Sequence, residues 1–291
     1  PSVVFANSIA VNPSNDLIGA ASFYGTIDLD PGSGSNVQST FLNFPGYGSV
    51  LSKYAAANGA PLFGESIVTL KRDSVDMPSY DEIEQIAIDA FGNNYAIGSF
   101  EGNVDFDPAS SQGMTICRAN NSPFIIKHDA NGQFQWVKTI CHLTSGENVV
   151  FNDFAIESGG NLLIVGRFNG TIDFDPGAGI SNLTSSVGNT DAFMLKLTPA
   201  GTFVSVIKLF AGTNTITSIA LNSAGDVYLT GYIFTTVNFN PNGAAVNLTG
   251  AGSFSGFIAR YTNAGSYLFA GLIDGPGGEN LEKIAIDPAG K

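Results

Sequence analysis

The sequence predicts an all-β protein assembled from a repeated four-stranded unit. Three observations predict it. An apolar–Ala–aliphatic phrase returns five times, at Ile9-Ala10-Val11, Ile86-Ala87-Ile88, Phe154-Ala155-Ile156, Ile219-Ala220-Leu221 and Ile284-Ala285-Ile286. Its alanines stand at 10, 87, 155, 220 and 285, hence 77, 68, 65 and 65 residues apart. The segments between are Gly-rich and pattern with period two, and none carries the helical period.

The first strand of each unit is the Ala phrase itself. Alternation puts its two flanking apolar side chains on one face and the alanine on the other, at a position read as crowded. A turn follows, as Asp89-Ala90-Phe91-Gly92, Glu157-Ser158-Gly159-Gly160, Asn222-Ser223-Ala224-Gly225 and Asp287-Pro288-Ala289-Gly290. An acid or amide opens it and Gly closes it with positive φ; in the first unit Asn12-Pro13-Ser14-Asn15 puts Asn in place of Gly. The second strand is then Asn94-Tyr95-Ala96-Ile97-Gly98, Leu162-Leu163-Ile164-Val165-Gly166 or Val227-Tyr228-Leu229-Thr230-Gly231.

The next phrase is the most specific. Gly25-Thr26-Ile27-Asp28-Leu29-Asp30-Pro31 recurs as Gly102-Asn103-Val104-Asp105-Phe106-Asp107-Pro108 and Gly170-Thr171-Ile172-Asp173-Phe174-Asp175-Pro176. The fourth copy, Thr235-Thr236-Val237-Asn238-Phe239-Asn240-Pro241, exchanges both aspartates for asparagines. A second hairpin closes the unit, as in Phe124–Lys127 with Phe134–Val137 and Phe193–Lys196 with Phe203–Val206, with Gly132, Gly201 and Gly265 at the tips and Gly59 as the looser counterpart in unit one.

Four short strands per unit of about 65–77 residues describe a β-propeller blade. A β-solenoid is the other repeat architecture of strands, but its coils run to about 20–30 residues. The expected domain is one β-propeller over residues 1–291, with blades starting near 9, 86, 154 and 219 and the first strand of a fifth from 284. Strand one is expected innermost, and the natural polypeptide is expected to continue past Lys291.

The phrases together resemble the β-propeller repeats of the SBBP type, the seven-bladed propeller repeats, in the G-T-I-D-F-D-P variant of secreted Bacteroidetes-like proteins. The resemblance covers essentially the whole chain. It implies a secreted or cell-surface module, one part of a longer polypeptide, and no enzyme activity. Asn238 and Asn240 depart from its pattern. Asp73-Ser74-Val75 matches the short O-glycosylation motif of those bacteria, which makes Ser74 a glycosylation candidate.

Composition narrows the partners. Apolar residues make up 44% and aromatics 11% of 291 residues, enough for a packed core and far from a disordered composition. The net charge of −13 and the scatter of 12 Lys and Arg exclude nucleic acid and anionic membrane surfaces as partners. No apolar run is long enough for a membrane-spanning helix.

Candidate sites are few. Asp28/Asp30, Asp105/Asp107 and Asp173/Asp175 lie at i and i+2 of a strand, so each pair offers two oxygen donors on one face, the chemistry of a Ca²⁺ ligand set. The other reading makes the first Asp solvated or Lys-paired and the second a turn cap before Pro. No other cofactor is expected. A basic residue recurs in each unit (Lys53, Lys127, Lys196, Arg260), placed to face a D-x-D aspartate. Cys117 and Cys141 fall at the same end of one hairpin, either as a disulfide or as two thiols. The two histidines, His128 and His142, are too few for a metal triad, and the sequence lacks the common hydrolase, phosphate-loop and dinucleotide motifs. The expected function is a non-catalytic module for binding, adhesion or scaffolding, with protein or glycan partners at the cell surface. A carbohydrate-binding propeller is the alternative, with pockets lined by Tyr24, Tyr95, Trp136 and Tyr232. A glycosidase built from two carboxylates is the third reading.

Overall fold

The computed structural model describes residues 2–30, 32–39, 46–71, 79–80, 82–107, 114–141 and 146–287. Every regular element among them is a strand. The chain divides into two compact units, Pro1–Leu143 and Thr144–Lys291.

In the first unit β1 (Val3–Val11), β2 (Leu17–Tyr24), β3 (Thr26–Asp28), β4 (Val37–Ser39), β5 (Gly46–Tyr54) and β6 (Pro61–Lys71) build blade 1. Its antiparallel order is β1-β2-β5-β6, with β3 and β4 as a separate two-stranded arm. The short β7 (Ser79–Tyr80) runs parallel to β5. Blade 2 is β8 (Glu82–Ile88), β9 (Asn94–Asp105), β10 (Met114–His128) and β11 (Phe134–Thr139), in that order. Here the arm is no separate sheet: Gly102–Asp105 of β9 pairs with Met114–Cys117 of β10. The end of β9 also pairs with β6, Val68 opposite Asp105, so the two blades share one sheet.

The second unit repeats the plan with separate sheets. Blade 3 is β12 (Asn148–Ile156), β13 (Leu162–Asn169), β16 (Asp191–Leu197) and β17 (Phe203–Phe210), with β14 (Thr171–Asp173) and β15 (Asn182–Thr184) as its arm. Blade 4 is β18 (Asn214–Leu221), β19 (Val227–Ile233), β22 (Ser255–Tyr261) and β23 (Tyr267–Ile273), with β20 (Val237–Asn238) and β21 (Asn247–Leu248) as its arm. Each four-stranded antiparallel sheet is a propeller blade. Within each unit the first strands of the two blades lie against each other.

The blades are joined by apolar faces. Leu163, Val165, Met194 and Leu209 of blade 3 meet Ile216, Ile219, Leu229 and Phe257 of blade 4. Ile18, Ala20 and Leu51 of blade 1 meet Ile83, Ala96, Phe124 and Ile126 of blade 2 at matching positions. The residue between the two aspartates of the D-x-D phrase seals the end of this core. Phe106, Phe174 and Phe239 are fully buried, with ring centroids 4.8, 4.6 and 5.3 Å from Phe124, Phe193 and Phe257. Leu29 takes this place in blade 1, against Phe23 and Val50.

Each first strand carries a β-bulge at one repeat position: Asn7, Glu84, Asn152 and Thr217. The extra residue bends the strand and pushes a backbone carbonyl toward the second strand. A Cβ on Gly98, Gly166 or Gly231 would stand 1.9, 1.9 or 2.0 Å from the carbonyl oxygen of Glu82, Val150 or Thr215. In blades 2, 3 and 4 the strand-end glycine is therefore a steric requirement, while in blade 1 Ala21 holds the same place. The phrase alanines are half-buried, less enclosed than the expected crowded position.

The fifth phrase departs from expectation. Residues 281–287 form no strand, because no described strand offers them a ladder. Thr217 Oγ1 nevertheless donates to the Leu281 carbonyl. Asn7 Nδ2 donates in the same way to the Ile83 carbonyl of blade 2, at 2.7 Å. Leu281 stands four residues before its phrase alanine, as Ile83 does, so the segment takes a first-strand place beside β18.

Gly166→Ala is expected to lower stability by about 2–3 kcal/mol, since its neighbour is backbone and cannot give way cheaply. Gly159→Ala, with nothing within 4 Å of an added Cβ, is expected to change it by less than about 0.5 kcal/mol. Denaturant melts of the two variants check this, and equal stabilities would contradict it.

Candidate functional site

The polar side chains gather at the first hairpin of each blade. Its turn needs a left-handed residue, supplied by Asn15 (φ 65°) in blade 1 and by Gly225 (φ 84°) in blade 4. Around it stands an acid–asparagine couple four residues apart, in either order. Asn12 Nδ2 donates to Asp16 at 3.2 Å, Asn93 to Asp89 at 2.7 Å, Asn161 to Glu157 at 2.9 Å and Asn222 to Asp226 at 3.4 Å. The opening residue also caps the turn: Asn12 Oδ1 accepts from the Ser14 and Asp16 amides, and Asp89 Oδ1 from those of Phe91 and Asn93.

The recurring basic residue answers this acid, not the D-x-D aspartates as expected. Lys53 Nζ lies 3.3 Å from Asp16, Lys196 Nζ 2.7 Å from Glu157, and Arg260 2.5 Å from Asp226. The register explains the correction: in blades 1, 3 and 4 the basic residue pairs across the ladder with Ile18, Leu163 or Tyr228, next to the first turn and far from the D-x-D arm. In blade 2 Lys127 lies over the Tyr95 ring, 5.1 Å from its centroid, and Tyr95 Oη donates to Asp89. Tyr95 is fully buried, and burial followed by the Asp89 charge pushes its phenol up.

The pair then reaches the next blade of its unit. Lys53 Nζ donates to the Ala130 carbonyl of blade 2 at 3.1 Å. Lys196 donates to Asn263 Oδ1 of blade 4, and Asn263 Nδ2 donates to Glu157. Ala130 and Asn263 are the same position of the outer turn, so one device joins both pairs of blades. Burial alone would push the Glu157 carboxyl up; hydrogen bonds from Lys196, Asn161 and Asn263 outweigh it and hold the carboxyl below its usual value. Its stabilising contribution is thus present above the ordinary carboxylate range and lost as pH falls through the lowered folded value.

The D-x-D pairs are bound into their arms. Asp28 Oδ1 accepts from the amides of Asp30 (3.0 Å) and Asn36 (2.8 Å), and these two bonds hold its carboxyl below the usual range. Asp173 Oδ1 accepts from Asp175 and Ser181, and Asn238 Oδ1 from Asn240 and Val246, in the same pattern. Asp105 accepts from the Asp107 amide at 2.9 Å. Asp30 and Asp175 cap the following turn through the Gly32 and Gly177 amides. Among the described residues no three His, Cys, Asp or Glu side chains stand close enough to hold a metal.

A buried acid of the second unit, Asp153, links its two blades. Its carboxylate accepts from the Phe154 amide (2.8 Å) and the Ile219 amide of blade 4 (3.2 Å), with Lys283 Nζ at 3.6 Å. Burial pushes this carboxyl up against those partners. Ser8 does the same work in blade 1, accepting from the Ile86 amide of blade 2.

Of the remaining candidates, Cys117 is buried and Cys141 exposed, and both stand as thiols with no disulfide between them. His128 is buried beside Phe134, while His142 and Ser74 lie outside the described residues. The aromatic side chains do not share one pocket: Tyr95 is closed in the core edge-on to Trp136, and Tyr232 packs on Phe234 and Phe254. A cleft of about 380 Å³ opens instead in the second unit, lined by Ile207, Asn240, Asn242, Gly265, Ser266 and Tyr267. Tyr267 was not singled out in the sequence, where it reads as an ordinary strand aromatic.

No protein-family model matches the chain. No curated protein matches it either. Among solved structures it is similar to a protein of unknown function from Dyadobacter fermentans (12% identity, 92% of this chain and 94% of that one, TM-score 0.35). It is also similar to virginiamycin B lyase from Staphylococcus aureus (9%, 94% and 88%, 0.31) and to a protein of unknown function from Bacteroides caccae (10%, 80% and 93%, 0.28).

Asp173→Asn is expected to change stability by less than about 0.5 kcal/mol, because Asn238 fills the same role in blade 4. Asp173→Ala strands two backbone amides and is expected to cost about 1–3 kcal/mol. Thermal melts with and without a calcium chelator complete the test: superimposable curves are expected, and a chelator-dependent drop in wild type that is smaller in Asp173→Asn would restore the calcium reading.

Proposed function

We propose that this chain is a non-catalytic β-propeller module of a secreted or cell-surface protein, of the SBBP-repeat type, acting in binding, adhesion or as a structural spacer. One observation carries the reading. The acids, amides and cations that could perform chemistry recur at equivalent positions in successive blades, where they hold hairpins and, from blades 1 and 3, reach the next blade of the unit. An active centre needs unlike groups converging on one point. A residue repeated once per blade serves the blade. The acidic charge fits protein or glycan partners at a cell surface better than nucleic acid.

The second reading is carbohydrate binding, and the cleft in the second unit favours it. Asn240 stands where the other arms carry Asp30, Asp107 or Asp175, and with Asn242 it leaves a neutral lining of amides, Ser266 and Tyr267. Neutral amides beside an aromatic ring suit a polyhydroxylated ligand, with hydrogen bonds at its hydroxyls and apolar contact at its C–H face.

A glycan array with the wild type and Tyr267→Ala separates the readings. Silence across the array is expected for a spacer or protein-binding module. Reproducible sub-millimolar binding that Tyr267→Ala abolishes would establish the second reading in its place. Release of new reducing ends from a polysaccharide panel would overturn the non-catalytic reading altogether.

A further inference from the structure

Blade 2 differs from the other blades at its arm. Elsewhere the D-x-D arm is a separate two-stranded sheet; here it is continuous with β9 and β10, and the register of β10 breaks between Cys117 and Ser122. Two observations place both cysteines at this break. Cys117 Sγ lies 2.8 Å from Ser122 Oγ, and both residues are buried. On the other side of β10, Phe124 faces Thr139 and the Ile140 amide donates to the Pro123 carbonyl at 3.3 Å. Continuing that register by one step sets Cys141 opposite Ser122. The Cys141 thiol is in hydrogen-bond contact with the Cys117 thiol, and that bond pushes its ionisation up.

We propose that Cys117 and Cys141 are a disulfide site, closed by oxidation, that ties the D-x-D arm of blade 2 to the end of its outermost strand. The oxidant is a small-molecule disulfide of the glutathione class. The sulfur of exposed Cys141, as thiolate, attacks one sulfur of the oxidant and releases the first small thiol. The Cys117 sulfur, having lost its proton, then attacks Cys141 and releases the second. One protein S–S bond forms, the oxidant's S–S bond breaks, and the two electrons and two protons leave with the two small thiols. The raised ionisation of Cys141 makes the first attack slow near neutral pH and faster as pH rises. The bond would form in an oxidising compartment and stay open in a reducing one, so its state reports where the protein resides without depending on what it binds.

The test uses the full chain equilibrated with oxidised glutathione at mildly alkaline pH, followed by intact mass and non-reducing digestion. The expected result is the loss of two hydrogen atoms per chain, a linked peptide containing both cysteines, and no maleimide-reactive thiol after unfolding. The oxidised protein is expected to melt roughly 5–10 °C above the same protein held in a phosphine reductant, from closing a loop of about 25 residues. Cys117→Ser is expected to stop at the mixed disulfide on Cys141. A stable glutathione adduct on wild-type Cys141, disulfide-linked dimers, or two thiols that survive the oxidant would each overturn the proposal.

Discussion

The structure depends on how one blade is handed to the next. An antiparallel four-stranded sheet is stable only if its apolar faces are covered, and here each blade of a unit covers its neighbour. That packing is non-directional, so it does not by itself set how two blades are staggered. The ion pair at the first hairpin does. Glu157 and Lys196 are held together within blade 3, and Asn263 of blade 4 bridges them with its amide. Lys53 carries out the same step in the first unit through a backbone carbonyl. A second contact works at the first strands, where the Ser8 hydroxyl or the Asp153 carboxylate accepts an amide of the next blade. Polar groups half-hidden between sheets need such partners, because an unmatched charge there costs more than the pair contributes.

Much of the architecture was legible in the sequence because it is periodic. The Ala phrase marks β1, β8, β12 and β18, and the tip glycines mark the outer hairpins. The D-x-D phrase was legible as a motif, whereas the anchoring of the blade end by its buried Phe106, Phe174 and Phe239 was not; its aspartates hold the turn. The partner of the recurring basic residue was misassigned for a physical reason. Spacing along the chain does not say which strand neighbours which turn, and the ladder places Lys196 opposite Leu163 beside the first hairpin. The signal that could have found it is the acid–asparagine couple, whose members exchange places between Asn12/Asp16 and Asp89/Asn93. Such an exchange leaves one charge per turn, and a repeating charge calls for a repeating countercharge.

The bulges and the cleft were not legible. A bulge is one extra residue in a strand, and sequence alternation alone does not separate it from an ordinary polar position such as Asn152 or Thr217. The glycines that receive the displaced carbonyl were visible, but their reason was not. The cleft beside Tyr267 joins residues from three segments of the second unit, a proximity that only the fold creates.

The claim that the recurring charges serve to join blades is tested most directly by a double-mutant cycle between Glu157 and Asn263, which sit on different blades. Stabilities of wild type, Glu157→Ala, Asn263→Ala and the double variant give the coupling energy. The account predicts a coupling of about 1 kcal/mol or more, as expected for a hydrogen bond to a charged partner. Effects that add to within about 0.3–0.5 kcal/mol would show that the blades are held by their apolar faces alone and would contradict it.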